Sequence, residues 1–425
     1  MIPNTKAKFS LERFGFPSLN RENIECLGAI AGLCAVPLSI AVSETLLAIA
    51  LLSRVANLFS GRSLNVPRVC WLWLGWAGLE VLSWLRSPQI TAGWGEMRHL
   101  LLIAALFVIL PALGRYRVAA WRGILVTSTV GSAALLINTG ARWMHYRSEI
   151  AAGGDAGFLL RNGGFLHHWM IYATVEVLVF GALLEFRSLY PQERRWTTVA
   201  LWIHCLAALF SFTRILWIAC FLIAAVHLLW RRSKWILALP VIVGAAFLLA
   251  PDSVRTRIAE SSHPDYYSNA ERVQMWHVGW RMIREHPLFG VGPGRVEELY
   301  PSYLSKSELV PAYRGHLHNN GLQLAAQFGL PVLGAALLWL AILVVEVLRE
   351  HRRAQDRDAR FLCRSALLGV AGFVVVGMTD YTYGHALGLI LCSFVSLAPL
   401  LKSGNPPPPD THLTEEDAKS PAPRF

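Results

Sequence analysis

The chain has 425 residues, of which 54% are hydrophobic and only 16% charged, with a formal net charge of +11. About a quarter of the residues of a soluble domain are charged, so an ordinary soluble globule is excluded and the bilayer is the expected solvent. The cations fall in short clusters between apolar runs, with no aromatic-interleaved basic surface. They therefore read as orientation signals and contacts to membrane lipids, and no nucleic-acid partner is expected. All seven cysteines lie in or beside apolar runs, which argues against a disulfide framework or a cysteine-ligated zinc in the hydrophilic loops.

In chain order, a polar, basic segment 1–24 precedes the first apolar run, which lacks a small-residue cleavage site and is expected to stay as an anchor. Apolar runs near 25–41, 43–60, 67–86, 98–113, 118–138, 166–186, 195–212, 214–230, 235–250, 331–349, 361–379 and 384–401 predict twelve transmembrane helices. The criterion is that a helix needs roughly 17 to 25 residues to cross a hydrocarbon core of about 30 Å. The expected fold is thus an all-α polytopic membrane protein. Helices one to nine occupy 25–250 and include a hydrophilic loop at 139–165, a large helical loop covers 251–330, and helices ten to twelve occupy 331–402. The tail 403–425, with its PPPP run, has too few apolar residues to fold.

With the N-terminus in the cytoplasm, the clusters Arg62/Arg68, Arg115/Arg117, Arg187/Arg194/Arg195, Arg231/Arg232/Lys234 and 349–364 fall on one side. Every short turn then obeys the positive-inside rule. Both long loops, and the links Ser211 to Arg214 and Asp380 to His385, fall on the other side.

Arg214, in SFTRILW, begins an apolar helix at its outer end, where no orientation signal calls for a cation. A snorkelling interfacial arginine is the bland reading, and a ligand for an anion is the functional one. Over 269–285 the helical period puts Arg272 with Trp276, Trp280 and Ile283, and gathers His277, Arg281, Arg284 and Glu285 opposite. An arginine on an apolar face calls for an anionic partner: a ligand, or a carboxylate such as Asp380 or Glu271. The glycines of FGVGPG (Gly290, Gly292, Gly294) lack the Lys-Ser/Thr ending of a phosphate loop, so a helix-terminating turn is expected.

HLHNNGLQLAAQFG, at 316–329, opens a helix toward the membrane, with His318, Leu322, Ala325 and Gly329 sharing a face. His318 has the tuning range of a general base for a hydroxyl, and Asn319 either caps the helix or touches a sugar. Arg161, in RNGGFLHHW, and Asp380 and Tyr381, in DYTYGH, are further candidates for lining the same cavity. No HExxH motif, cysteine partner or paired aspartate motif occurs in these loops, so neither a metal nor another cofactor is expected.

These pieces resemble the O-antigen ligase and polymerase superfamily: TRILW at 213–217, ERVQMW with HPLFGVGPG at 271–294, and HNNGLQLAAQFG at 318–329. The resemblance covers the C-terminal half, while the first half matches in hydropathy and the RNGG-type loop alone. It implies a fold related to GT-C-type glycosyltransferases in the bacterial inner membrane, with a periplasmic active site. It also implies an undecaprenyl pyrophosphate-linked glycan as donor and a lipid A-core acceptor. Carried over by position, Arg214 and Arg272 would hold the pyrophosphate and His318 would take the acceptor proton. Arg281 and Arg284 are the substitutes for Arg272. A polymerase of the same superfamily differs in its acceptor. A secondary transporter or flippase would place ionisable residues at mid-bilayer, where Arg54 and Glu80 are the two to explain.

Overall fold

The computed structural model describes residues 16–17, 23–250, 252–259, 267–306, 308 and 315–402, so nearly all of the segment 1–24 and the whole tail 403–425 lie outside the described residues. Among the described residues the chain is helical, without strands. The helices are α1 (Ile24–Ala35), α2 (Ile40–Phe59), α3 (Arg68–Arg86), α4 (Trp94–Ile109), α5 (Arg117–Ala151), α6 (Ala156–Leu159), α7 (Trp169–Leu189), α8 (Arg194–Phe210) and α9 (Arg214–Trp230). They continue with α10 (Trp235–Leu249), α11 (Asp252–Ala259), α12 (Tyr267–Glu285), α13 (Val296–Leu299), α14 (Asn320–Phe328), α15 (Leu330–Arg353), α16 (Arg357–Gly377) and α17 (Ala386–Leu397).

Five described helical stretches are long and apolar enough to cross a bilayer: Ile40–Phe59, Ile90–Ala151, Trp169–Leu189, Leu330–Arg353 and Arg357–Gly377. Shorter apolar helices are Ile24–Ala35, Arg214–Trp230, Trp235–Leu249 and Ala386–Leu397. The stretch Ile90–Ala151 is two helices broken between α4 and α5, where Pro111 precedes Gly114 at φ 38, ψ −110. The loop expected at 139–165 begins later than the hydropathy implied. α5 runs on to Ala151 because TGARWMHYRSEIA contains no proline and a single glycine, Gly140, and it ends only where Gly153 takes a positive φ of 94.

α7 is the central post. In its apolar window 83% of residues are buried, as expected of a helix that is hydrophobic all round, and α8, α9, α16 and α17 pack about it. Buried acids inside the bundle are all matched. Glu80 accepts from His99 at 2.7 Å, Glu176 meets His204 at 2.8 Å, and Glu185 meets His227 at 2.7 Å. Each pair joins two helices, α3 to α4, α7 to α8 and α7 to α9. Arg54 is paired with Glu25 at 3.2 Å, both nearly buried. These ionisable groups therefore act as interhelical pins, the form in which charge is tolerated within a membrane protein.

Candidate active site

A cavity of about 450 Å³ is lined by three arginines from three parts of the chain: Arg161, Arg214 and Arg272. Arg214 is the first residue of α9, and the chain enters that helix through Phe212, buried and held at φ 52. Its guanidinium donates to Asn269 Oδ1 at 2.9 Å, which ties α9 to α12. One turn along α12, Arg272 donates to Ser268 Oγ at 2.8 Å. Arg161 lies 4.8 Å over the Trp169 ring, a cation–π contact. The RNGG turn that presents it is pinned to α5 by Asn162, which donates to Thr139 Oγ1 at 2.9 Å and accepts from the Gly164 amide at 3.0 Å. Three fixed cations in one cleft make a site for an anion with more than one charge.

Next to this cavity is a histidine–carboxylate pair. His318 Nδ1 lies 3.0 Å from Asp380 Oδ1, and the neighbouring Thr379 lines the arginine cavity. The His318 side chain keeps 21% of its surface, whereas that of Asp380 keeps 3%. With the carboxylate ionised, Nδ1–H is the donor and Nε2 carries the lone pair of a base. Burial alone would raise the Asp380 carboxyl. The hydrogen bond from His318 and the charges of His385, His316 and His318 outweigh it and hold the group below its usual value.

The turn carrying His318 is built by its neighbours. His318 itself has φ 48, so it lies before α14 and not on a shared face with Leu322 and Ala325. The next residue, Asn319, is the N-cap of α14, accepting from the Leu322 amide at 3.0 Å, while its Nδ2 donates to Met378 O at 2.9 Å. Leu317 is fully buried against Met275, Val278 and Met282 of α12. With Ile283 they form the buried stripe of that helix, as expected for Ile283, whereas Trp280, expected on the same face, is 54% exposed. The FGVGPG segment is a joint between α12 and α14. Val291 and Gly292 donate to Ala326 O and Gln327 O at 2.8 and 3.0 Å. Its amides are spent on the open carbonyls at the end of α14 and do not cradle a phosphate.

The remaining sequence candidates separate from the cavity. Arg281 forms a two-pronged pair with Glu308, at 2.8 and 2.6 Å, and also bonds Tyr303 O. That pairing lowers the Glu308 carboxyl to about 2. Arg284 is exposed on the far side of α12. Tyr381 is buried and its hydroxyl donates to Glu96 at 3.2 Å, so its ring offers no open face for a sugar. Three further imidazoles, from the RNGGFLHHW, HLHNN and DYTYGH segments, act on Asp380 or are acted on by it. His316 is pushed down to about 3, mainly by burial and then by the charge of His318, with Asp380 opposing. Burial lowers His168 and His385 as well. Asn269 and Ser268 had no signal in the sequence beyond their nearness to Arg272.

His316, His318 and Asp380 bring ligand atoms within 4.8 Å of one another. The His318–Asp380 hydrogen bond engages Asp380 Oδ1, so the same residues can serve as a base with its carboxylate or as a ligand set for a cation.

No curated protein matches the chain. Residues 199–337, the stretch that carries Arg214, Arg272 and His318, match the family model described as O-Antigen ligase, and over that segment the chain is similar to the O-antigen ligase superfamily.

Proposed function

We propose that this membrane protein is an O-antigen ligase. In this reading it transfers a glycan from undecaprenyl pyrophosphate to lipid A-core at the periplasmic face of the bacterial inner membrane. The chain would cross twelve times with both termini cytoplasmic, in a fold related to GT-C-type transferases. The observation that carries the reading is the adjacency of the arginine-lined cavity and the His318–Asp380 pair, joined through Thr379.

The acceptor hydroxyl attacks the anomeric carbon and gives its proton to His318 Nε2. The new glycosidic C–O bond forms as the C–O bond to pyrophosphate breaks, and that electron pair leaves on the diphosphate. Arg214 and Arg272, with Arg161 beside them, neutralise the growing negative charge where surrounding hydrocarbon strengthens each interaction. Asp380 holds the tautomer and steadies the imidazolium. Attack from the face opposite the leaving group inverts the anomeric centre, with no covalent enzyme intermediate and no metal in the scheme.

The test is purified protein in detergent with a lipid pyrophosphate-linked glycan and lipid A-core, without nucleotide or metal. A glycosylated lipid A-core should form and be unaffected by EDTA. Loss of the product in EDTA, or no product at all, overturns the mechanism. Elongation of the donor glycan in place of lipid A-core would make the protein the polymerase of the same superfamily.

A further inference from the structure

A second cavity, of about 330 Å³, lies among α3, α4, α15, α16 and α17. Its walls are aromatic and aliphatic, with Trp73, Trp76, Phe107 and Leu340 among them, and none of the residues lining it is charged. Leu337, Val374 and Met378 border it and are 58%, 40% and 58% exposed. In an apolar bundle such exposed faces meet lipid, so the groove opens sideways into the bilayer. Asn319, Asn320 and Gly321, the residues that follow His318, line it together with Tyr383, Ser393 and Ser396 of the last two helical elements.

The two cavities share a partition. Gly377 and Met378 line the apolar groove, Thr379 lines the arginine cavity, and Asp380 bonds His318. Asn319 fastens this partition through Met378 O at 2.9 Å. His318 thus lies between residues of the two cavities: Asn319 and Asn320, which follow it, line the uncharged groove, and Thr379, next to its partner Asp380, lines the cationic one.

Resting on the function proposed above, we infer that this groove seats a hydrocarbon chain of the acceptor, a saccharide-headed lipid whose hydroxyl is presented to His318. A diphosphate has no counter-charge in the groove and would be costly to place there. The donor's charged group belongs with the arginines, and its prenyl chain can follow Ile215, Ile218 and Val273, which border that cavity. An inverting displacement needs nucleophile and leaving group on opposite sides of the anomeric carbon. Two cavities divided by 377–380 meet that requirement, and the hydrocarbon chain fixes the depth at which the hydroxyl arrives.

The experiment uses the full-length His318→Ala protein in vesicles of phosphatidylethanolamine and phosphatidylglycerol, so that ligands bind without turnover. Three diazirine probes are compared: lipid A-core labelled in an acyl chain, polyprenyl pyrophosphate labelled in the isoprenoid, and phosphatidylglycerol labelled in an acyl chain. The lipid A-core probe should mark peptides within 333–343 and 370–378, and the polyprenyl probe those within 215–218 and 273–276. Leu340→Trp, or the smaller filler Ala336→Phe, should weaken groove labelling about tenfold in that protein and, with His318 restored, raise the acceptor KM by a similar factor, with the donor KM unmoved. Polyprenyl labelling in the groove, or phosphatidylglycerol labelling there as strong as that of lipid A-core, overturns the inference. If the otherwise wild-type protein transfers glycan while the acceptor chain labels elsewhere, the groove assignment alone fails. Absence of transfer by that protein overturns the functional reading beneath it.

Discussion

His318 and Phe212, side chains with a Cβ, hold left-handed backbone at φ 48 and 52. Such conformations cost on the order of 1 kcal/mol each and persist where the surroundings impose them. One is the proposed base and the other lies two residues before Arg214; His167 and Arg232 hold the same kind of conformation at φ 59 and 49. The Asp380 carboxylate fixes which nitrogen of His318 carries the proton. Asp380→Asn should therefore lower kcat by on the order of 10³-fold with little change in either KM, as steady-state kinetics would reveal, and wild-type turnover would remove Asp380 from the mechanism. His316 carries a pH dependence of its own. Its pKa is depressed to about 3 from 6.5, so the folded state binds fewer protons than the unfolded one between those values. The stability it contributes is complete above the unfolded value and declines as pH falls toward 3, by at most about 1.4 kcal/mol per pH unit. Thermal melts in detergent between about pH 7 and pH 5 should show a shallower loss for His316→Gln than for wild type; equal slopes would mean that His316 is not held neutral by its site.

At the scale of elements, the site depends on how α12, α14 and α15 are joined. Gly290 has φ 64, and a Cβ there would come within 2.3 Å of the Gln327 carbonyl carbon; Gly329, at φ 94, would meet Leu288 O at 2.2 Å. Gly290→Ala should destabilise the protein by about 2 kcal/mol or more and impair transfer along with folding. Gly334, in α15, has nothing within 4 Å of an added Cβ, so Gly334→Ala should leave the melting temperature unchanged or slightly raised. A Gly290→Ala protein as stable as wild type would show that the joint is loose. Much of this region was legible in the sequence. Arg214 and Arg272 stood out because a cation at the edge of an apolar helix breaks the hydropathy pattern, and FGVGPG because three glycines cannot continue a helix. The pairing of His318 with Asp380 was not legible, since it spans 62 residues and depends on how α16 meets α14. Nor was the burial of Tyr381, because an interfacial tyrosine and a buried one look alike until the acid that accepts its hydroxyl, Glu96, is placed. The turn at Phe212 left no trace because a bulky aromatic residue is not one that favours positive φ.

For the whole molecule, the proposed chemistry and the proposed orientation are linked, because a pyrophosphate clamp would be useful only on the face where a lipid-linked donor waits. Arg161, Arg214, Arg272 and His318 gather at one end of the bundle. The proposed topology puts the positive-inside clusters at the other end. Arg117, from one of those clusters, donates to Ala398 O and Leu401 O at 2.9 and 2.6 Å, closing the C-terminal end of α17. The same arginine thus serves the topology and caps a helix. If the charge pattern sets the orientation, single cysteines placed at exposed Glu298, in the large loop, and at exposed Arg353, at the end of α15, must lie on opposite faces. Starting from a cysteine-free background, a membrane-impermeant maleimide added to spheroplasts should label Glu298→Cys at once and Arg353→Cys only after permeabilisation. The reverse pattern would put the arginine cavity in the cytoplasm, out of reach of a donor and acceptor on the periplasmic leaflet. It would sink the ligase reading together with the topology, whereas labelling of both positions in intact cells would mean that α15 does not cross the membrane between them.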